Sequence, residues 1–238
     1  MSEAIATDIQ RFQAEGSTEL SVYRPWSHLE STLDMKLYWS SRSPFVRKVM
    51  VAAHEVGIAD RIRTQRVIVA PNSPNIEVMH DNPFSKIPTL VLDDGTSLYD
   101  SRVICEYFDS LHDGPKLFPS NPDLRWKALR RQALGDGLME IIVLRLGEIR
   151  RPREAQSETH LAAFRLKAAK GLDRLEAEAD SRSGALSIGD IAVGCGLAHL
   201  DFRFSADDWR AGRPNLAAWH AEFSRRPSVC ATQFADVY

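Results

Sequence analysis

The stretch that decides the fold is M-K-L-Y-W-S-S-R-S-P-F-V-R-K, residues 35–48. Its first part, around Leu37, is a short apolar run that is typical of a β-strand. Serines and Pro44 follow, and apolar residues then recur at helical spacing from Phe45 onward. Proline is favoured at the first position of a helix, where a backbone N–H would have no partner anyway. We therefore predict a strand, a turn and a helix whose N-cap is Ser43.

A serine at this position has two interpretations. Ser43 can serve only to cap the helix, since serine is a common N-cap. Alternatively, its hydroxyl lies among free backbone N–H groups, which together stabilise an anion or a thiolate. Ser40 and Ser41 belong to the same turn, and either could be presented to a ligand instead. Taken alone, the stretch favours a plain cap.

The composition is that of an ordinary soluble protein. The 238 residues are 44% hydrophobic and 26% charged, with a formal net charge of -2, which argues against a nucleic-acid partner. No apolar run has the length of a membrane span, and the first residues resemble neither a signal nor a transit peptide. The cysteines, Cys105, Cys195 and Cys230, are scattered and odd in number, so we expect no disulfide framework and a reducing, cytoplasmic location.

Element types alternate in the first half of the chain. Residues 1–34 are interpreted as an N-terminal extension without recognisable chemistry. After it we predict a strand at 35–39, a helix at 44–56 and a second strand at 62–69. A loop rich in Pro and Asn follows at 71–83, then a hairpin with an Asp-Gly turn at 87–99 and a helix at 100–111. The order is β-α-β, a loop, then β-β-α, with a parallel first pair of strands.

The second half is predicted to be all helical. Residues 113–122 are rich in proline and glycine and are interpreted as a linker. Helical patterns fill residues 123–238, at about 124–151, 157–179, 187–204, 214–224 and 227–234. The third of these begins with Ser187 and Asp190, which form a capping box. Gly194 on that helix is expected to allow close packing against a neighbouring helix.

Four short motifs occur in order along this pattern: Ser43-Pro44, Lys86-Ile87-Pro88, Asp100-Ser101 and S-I-G-D at residues 187–190. Together with the change from alternating to helical patterning, they resemble a cytosolic glutathione S-transferase over residues 35–238. The motif S-P-F, residues 43–45, is most similar to that of serine-type members, the plant tau class and its bacterial relatives. The resemblance implies an α/β thioredoxin-like N-terminal domain at 35–112 and an all-α C-terminal domain at 123–238.

The resemblance also implies glutathione as co-substrate and a role for each motif. Ser43, or else Ser41, would donate a hydrogen bond to the glutathione thiolate. Ile87, before a cis Pro88, would pair its main chain with the cysteinyl part; an ordinary trans proline is the alternative.

The two carboxylate ends of glutathione would be held by other residues. Asp100 and Ser101 would hold the γ-glutamyl end, although most members have Glu where this chain has the shorter Asp100. Lys86 would approach the glycyl carboxylate, unless it is simply a solvated lysine. Glu140 occupies a position that in related classes reaches the partner subunit's glutathione, or it lies on a solvated helix face.

The resemblance implies a homodimeric enzyme that conjugates glutathione to a small apolar electrophile, in a pocket near Met139 and Val143. A non-catalytic glutathione-binding or scaffold protein with the same fold is one alternative. A glutathione-dependent peroxidase or reductase is another, but such reductases need a cysteine near Ser43, and none is present there. Cys195 and His199 lie four residues apart without further ligands nearby, so we expect no metal. No membrane partner is expected either.

Overall fold

The computed structural model describes residues 34–179 and 184–237. The predicted N-terminal extension lies outside these ranges except for Asp34, whose backbone N–H donates to the carboxylate of Asp93 at 3.0 Å. Within the described ranges, no helix combines the length and the apolar character needed to cross a membrane.

The first half of the chain is built on a mixed four-stranded sheet with strand order β2-β1-β3-β4. Strands β1 and β2 are parallel, whereas β1 with β3 and β3 with β4 are antiparallel. This arrangement confirms the predicted α/β, thioredoxin-like half. Its elements are β1 (Met35–Trp39), α1 (Pro44–Glu55), β2 (Ile62–Arg66), α2 (Ile76–Asp81), β3 (Thr89–Val91), β4 (Ser97–Leu98) and α3 (Ser101–Ser110).

Strand β1 lies in the interior of the sheet, and successive side chains point to opposite faces. Leu37 is fully buried in the large core that also contains apolar residues of α1 and α3. Tyr38 faces the other way and packs with Val67 and with Val78 of α2. Both faces of β1 are therefore covered by helices, which explains why its sequence is an apolar run rather than a strict alternation.

Two details of the predicted first half were wrong. The Pro- and Asn-rich loop contains helix α2, which is capped by Asn75 through a 3.2 Å hydrogen bond from the N–H of Val78. This helix has six residues, too few to show a helical period in the sequence. The strand predicted at 62–69 ends at Arg66. Its partner β1 ends at Trp39, which pairs with Arg66, so β1 has no further residues with which β2 could pair.

The second half is helical throughout its described part, and residues 122–179 and 184–237 contain no strand. The predicted all-α half is thus confirmed. Three of its helices begin with proline, as expected where the first N–H needs no partner. The helices are α4 (Pro122–Ile149), α5 (Glu158–Ala177), α6 (Ile188–Phe204), α7 (Pro214–Phe223) and α8 (Pro227–Cys230).

Helix α6 is the central element of this half. It begins with the predicted capping box, in which Ser187 and Asp190 each bond the other's backbone N–H. A Cβ at Gly194 would lie 2.0 Å from the ring of Phe223, and one at Gly135 would lie 2.5 Å from the backbone of α6. Glycine is therefore required for α7 and α4 to approach α6 this closely. Helix α1 also packs on α6, so the two halves share one core.

Candidate active site

The turn between β1 and α1 presents the hydroxyl of Ser43. The Ser43 backbone is extended, its N–H donates to the carbonyl of Ser40 at 3.2 Å, and its Oγ accepts from the N–H of Val46 at 3.3 Å. Ser43 is thus the N-cap that the sequence predicted. A hydroxyl that accepts one bond can still donate its own proton. No described residue accepts that proton, and the half-buried side chain leaves it available to a ligand.

Ser41 is engaged differently. Its hydroxyl donates to the carbonyl of Ala235 at 2.8 Å, and the N–H of Ala235 donates back to the carbonyl of Ser41 at 3.3 Å. The end of the chain is therefore held against the turn that carries Ser43. A hydroxyl proton that already serves Ala235 would have to leave it before reaching a ligand, so the geometry favours Ser43 over Ser41 as a donor.

The loop before β3 contains the predicted cis peptide bond, between Ile87 and Pro88. Lys86 is exposed, Ile87 is half-buried and Pro88 is buried. The carbonyl of Lys86 accepts hydrogen bonds from Thr89 Oγ1 at 2.8 Å and from Asn82 Nδ2 at 3.2 Å. Asn82 and Thr89 are buried and fix this loop, a function that the sequence analysis missed.

Helix α3 begins where the sequence predicted. Asp100 is its N-cap and accepts the N–H of Arg102 on Oδ1 at 2.9 Å. Ser101 is the first residue of the helix and is 2% exposed. Its hydroxyl bonds no described residue, and it lies among the free N–H groups of the first turn. This helix start therefore offers donors of the kind that bind a carboxylate.

A buried carboxylate lies beside this helix start. Asp136 of α4 is 2% exposed and receives Lys48 Nζ on one oxygen at 2.7 Å and Arg102 Nε on the other at 2.9 Å. The Arg102 side chain is 51% exposed, so the rest of its guanidinium reaches solvent. Burial works against the charged form of Arg102, but the hydrogen bond to Asp136 and the nearby charges of Asp136, Asp100 and Glu140 outweigh it and raise its pKa.

No motif or pattern in the sequence predicts this network. Asp136 lies in the sequence A-L-G-D-G, residues 133–137, which does not indicate which side chains would pair with its carboxylate. Lys48 lies in an amphipathic helix, where a lysine is normally solvated. Glu140, one turn after Asp136, is exposed and close enough to Arg102 to act on its pKa.

The two buried cysteines do not supply a nucleophile to this region. Burial raises the pKa of the Cys105 thiol to about 12 and that of Cys195 to about 11. A buried thiol with such a pKa is unreactive near neutral pH. Cys230 is exposed at the end of α8.

His199 and the apolar pocket residues also have defined places. His199 is buried against the ring of Phe234, and burial, with Arg203 and Arg47, lowers its pKa to about 3. In residues 34–179 and 184–237, no cluster of three His, Cys, Asp or Glu side chains is arranged to hold a metal.

Met139 is fully buried in the core and cannot line an open pocket, whereas Val143 is 38% exposed.

Two family models match the chain. Residues 42–111 match the glutathione S-transferase N-terminal domain, and residues 158–222 match the glutathione S-transferase C-terminal domain. An uncharacterised GST-like protein of Escherichia coli K12, YibF, is 31% identical over 202 residues, which cover 84% of this chain and 98% of that protein.

Solved structures agree with these matches. A glutathione transferase family member from Pseudomonas fluorescens Pf-5, with bound glutathione, superposes with a TM-score of 0.80 at 41% identity, over 84% of this chain and 99% of that one. A structure from the same organism with bound S-(propanoic acid)-glutathione gives a TM-score of 0.77 at 40% identity, over 84% of this chain and 100% of that one.

The mixed sheet, the cis-proline loop and the appended helices define the class of thioredoxin-like proteins that carry a helical second half. Within that class, the chain belongs to the glutathione S-transferase family.

Proposed function

We propose that this protein is a glutathione transferase that binds glutathione and activates its thiol for attack on a small electrophile. The observation that carries the proposal is the available Ser43 hydroxyl at the N-terminus of α1, in a chain whose 41% identical relative holds glutathione. A second structure contains glutathione substituted on sulfur, which is the type of product that conjugation forms.

Glutathione would lie across the cis-proline loop. We assign the γ-glutamyl carboxylate to Ser101 and the first turn of α3, with Asp100 beside the glutamyl amine. The main chain of Ile87, held before Pro88, would pair with the cysteinyl part in the manner of an added strand. Lys86 would reach the glycyl carboxylate. Glu140, which is exposed on α4, would reach the amine of the glutathione bound to the partner subunit.

In this serine-type mechanism, Ser43 donates its hydroxyl proton as a hydrogen bond to the glutathione sulfur. The bond is stronger to a thiolate than to a thiol, so it lowers the thiol pKa from its reference value of about 8.5. A hydrogen bond to a charged group contributes about 1.5–3 kcal/mol, which corresponds to a pKa decrease of about one to two units. The thiol proton leaves to solvent, and the thiolate attacks the electrophile.

The assembly and the location follow the family resemblance. We propose a two-fold homodimer in the cytoplasm, with residues 1–34 as an extension. A thioredoxin-like domain at 35–112 would be joined by the linker 113–122 to a helical domain at 123–238. Homodimer interfaces are self-complementary, and the long helix α4 exposes two large apolar side chains, Leu124 and Trp126, that could contribute to one.

The experiment that tests this function is the pH–rate profile of conjugation to 1-chloro-2,4-dinitrobenzene. Ser43→Ala should lower the rate by about 10- to 150-fold near neutral pH, and the deficit should shrink at high pH, where the thiol ionises unaided. Glutathione affinity should be nearly unchanged, and Ser110→Ala, which changes an exposed serine at the end of α3, serves as the control.

If only Ser41→Ala shifts the profile to higher pH, Ser41 is the catalytic serine instead. A wild-type protein that binds glutathione but conjugates no electrophile would indicate the non-catalytic scaffold function.

A further inference from the structure

A cavity of about 210 Å³ opens where β1 and β2 end. Its lining residues are Ser40, Arg42, Arg66, Val67, Ile68 and Val237. Ser40 and Arg42 belong to the turn of Ser43, because the N–H of Ser43 donates to the carbonyl of Ser40 at 3.2 Å. The cavity is therefore adjacent to the proposed site of thiol activation, on the side covered by the end of the chain.

The size of the cavity limits what it can hold. Sites for drug-sized ligands usually measure about 300–1,000 Å³. The cavity is smaller than such sites and suits a small molecule, seated on the apolar surfaces of Val67, Ile68 and Val237.

The electrostatics of the cavity favour an anion. Arg42 and Arg66 line it, and Arg203 lies close to Arg42. Among the described residues, the carboxylate that faces this group is that of Asp236, 4.0 Å from Arg42 and 3.5 Å from Arg203, with its side chain 56% exposed. The charged residues that line the cavity, Arg42 and Arg66, are both cations, and no carboxylate of the described part of the chain lines it, so an anion is favoured there.

Arg66 is the cation best placed to meet a ligand. Its guanidinium lies over the ring of Trp39, 5.4 Å from the centroid, which restricts its orientation. It forms no ion pair with a carboxylate in residues 34–179 or 184–237. A planar guanidinium with several free N–H groups matches a carboxylate better than an ammonium does.

We propose that this cavity binds the second substrate and that this substrate is a small electrophile carrying a carboxylate, which pairs with Arg66. The inference rests on the proposed function and replaces the purely apolar electrophile that the sequence predicted. In the reaction, the thiolate electron pair forms the new C–S bond while the bond to the leaving group breaks. The carboxylate is unchanged, and no oxidant or reductant takes part.

The test uses a matched pair of electrophiles, 4-chloro-3-nitrobenzoate and 4-chloro-3-nitrobenzamide. In both, the thiolate attacks the ring carbon that bears chlorine, and chloride leaves. The ratio of kcat/KM for benzoate to that for benzamide is measured in wild type and in Arg66→Gln. Dividing one ratio by the other removes the difference in intrinsic reactivity. Arg63→Gln, an exposed arginine on the same strand, is the matched control, and Arg66→Lys tests rescue by charge.

We expect Arg66→Gln to lower the ratio about fivefold, the size expected of a partly exposed charge pair. Arg63→Gln should leave it unchanged, and Arg66→Lys should restore part of it. An unchanged ratio in Arg66→Gln would overturn the proposal. If the KM for glutathione also rises in that variant, Arg66 binds the glycyl carboxylate of glutathione instead.

Failure of the proposed function would look different from failure of this inference. A wild-type protein that conjugates neither compound nor 1-chloro-2,4-dinitrobenzene, while still binding glutathione, would overturn both. Conjugation of 1-chloro-2,4-dinitrobenzene together with an unchanged ratio would overturn only the inference about Arg66.

Discussion

The ammonium group of Lys48 lies 2.7 Å from Oδ1 of Asp136, and the two side chains are 0% and 2% exposed. Lys48 belongs to α1 of the sheet-containing half and Asp136 to α4 of the helical half. The pair therefore joins the two halves of the molecule in their common core. Arg102 binds the other oxygen of Asp136 at 2.9 Å and connects the pair to the start of α3.

Removing the charge of Lys48 should destabilise the protein. A buried ion pair that loses one partner costs about 3–5 kcal/mol, because the remaining charge stays out of water. We expect Lys48→Met to lower the free energy of unfolding by about 3 kcal/mol. This value is at the low end of that range because Asp136 would still be paired with Arg102. Urea unfolding measures this difference.

The matched control is Arg130→Met, which breaks the pair of Arg130 with Glu178. The Arg130 side chain is 55% exposed, and exposed pairs contribute about 0–1 kcal/mol. The double variant Lys48→Met/Asp136→Asn should be more stable than the sum of its single changes predicts. Equal losses for Lys48→Met and Arg130→Met would show that burial of the pair is not what matters.

Ser101→Ala should weaken glutathione binding by about 1–3 kcal/mol, since a carboxylate would lose one donor. Ser101 begins α3 and is 2% exposed, whereas Ser110, at the other end of the same helix, is exposed. Ser110→Ala is therefore the control and should bind normally. Calorimetry on folded variants makes the comparison, and unchanged affinity in Ser101→Ala would remove this residue from the site.

The protein should be a homodimer at micromolar concentration, with a mass by light scattering of twice the 26.7 kDa chain. Phe84 and Trp126 are 73% and 70% exposed, and large exposed apolar side chains mark interaction surfaces. Phe84→Glu or Trp126→Glu should shift the protein toward monomer. Lys167→Glu, which changes an exposed polar residue on α5, serves as the control. A wild-type monomer would contradict the prediction.

Acid should destabilise the fold partly through His199. Its pKa is about 3 in the folded protein, below the ordinary value of 6.5, because burial disfavours the charged form. As the pH falls through 6.5, the unfolded chain gains a proton that the folded chain does not, so stability is full above 6.5 and decreases down to about pH 3. Between pH 7 and pH 5, this linkage removes about 2 kcal/mol.

The variant His199→Gln cannot titrate, so it should lose about 2 kcal/mol less than wild type between those two pH values. Denaturant unfolding at pH 7 and pH 5 measures the difference. His54, which is exposed on α1, provides the control: His54→Gln should follow the wild type. Parallel losses in wild type and His199→Gln would exclude this contribution.

Local signals were sufficient for much of the fold. Apolar periodicity, prolines at helix starts and the serine caps at Ser43 and Ser187 predicted most elements, because these interactions lie within one turn of the chain. Short motifs in order indicated the family. Helix α2 was missed because its six residues bury only Val78 and show no period.

The sequence by itself determined the order of elements apart from α2, the N-cap at Ser43 and the start of α3 at Asp100. Only the tertiary structure decided that Lys48 is buried against Asp136 and that the hydroxyl of Ser41 donates a hydrogen bond to the carbonyl of Ala235. These contacts join residues 88 and 194 positions apart. The physical reason is that helix and strand patterns report local hydrogen bonds and burial, whereas a charge pair or a chain end docked on a turn depends on how whole elements pack.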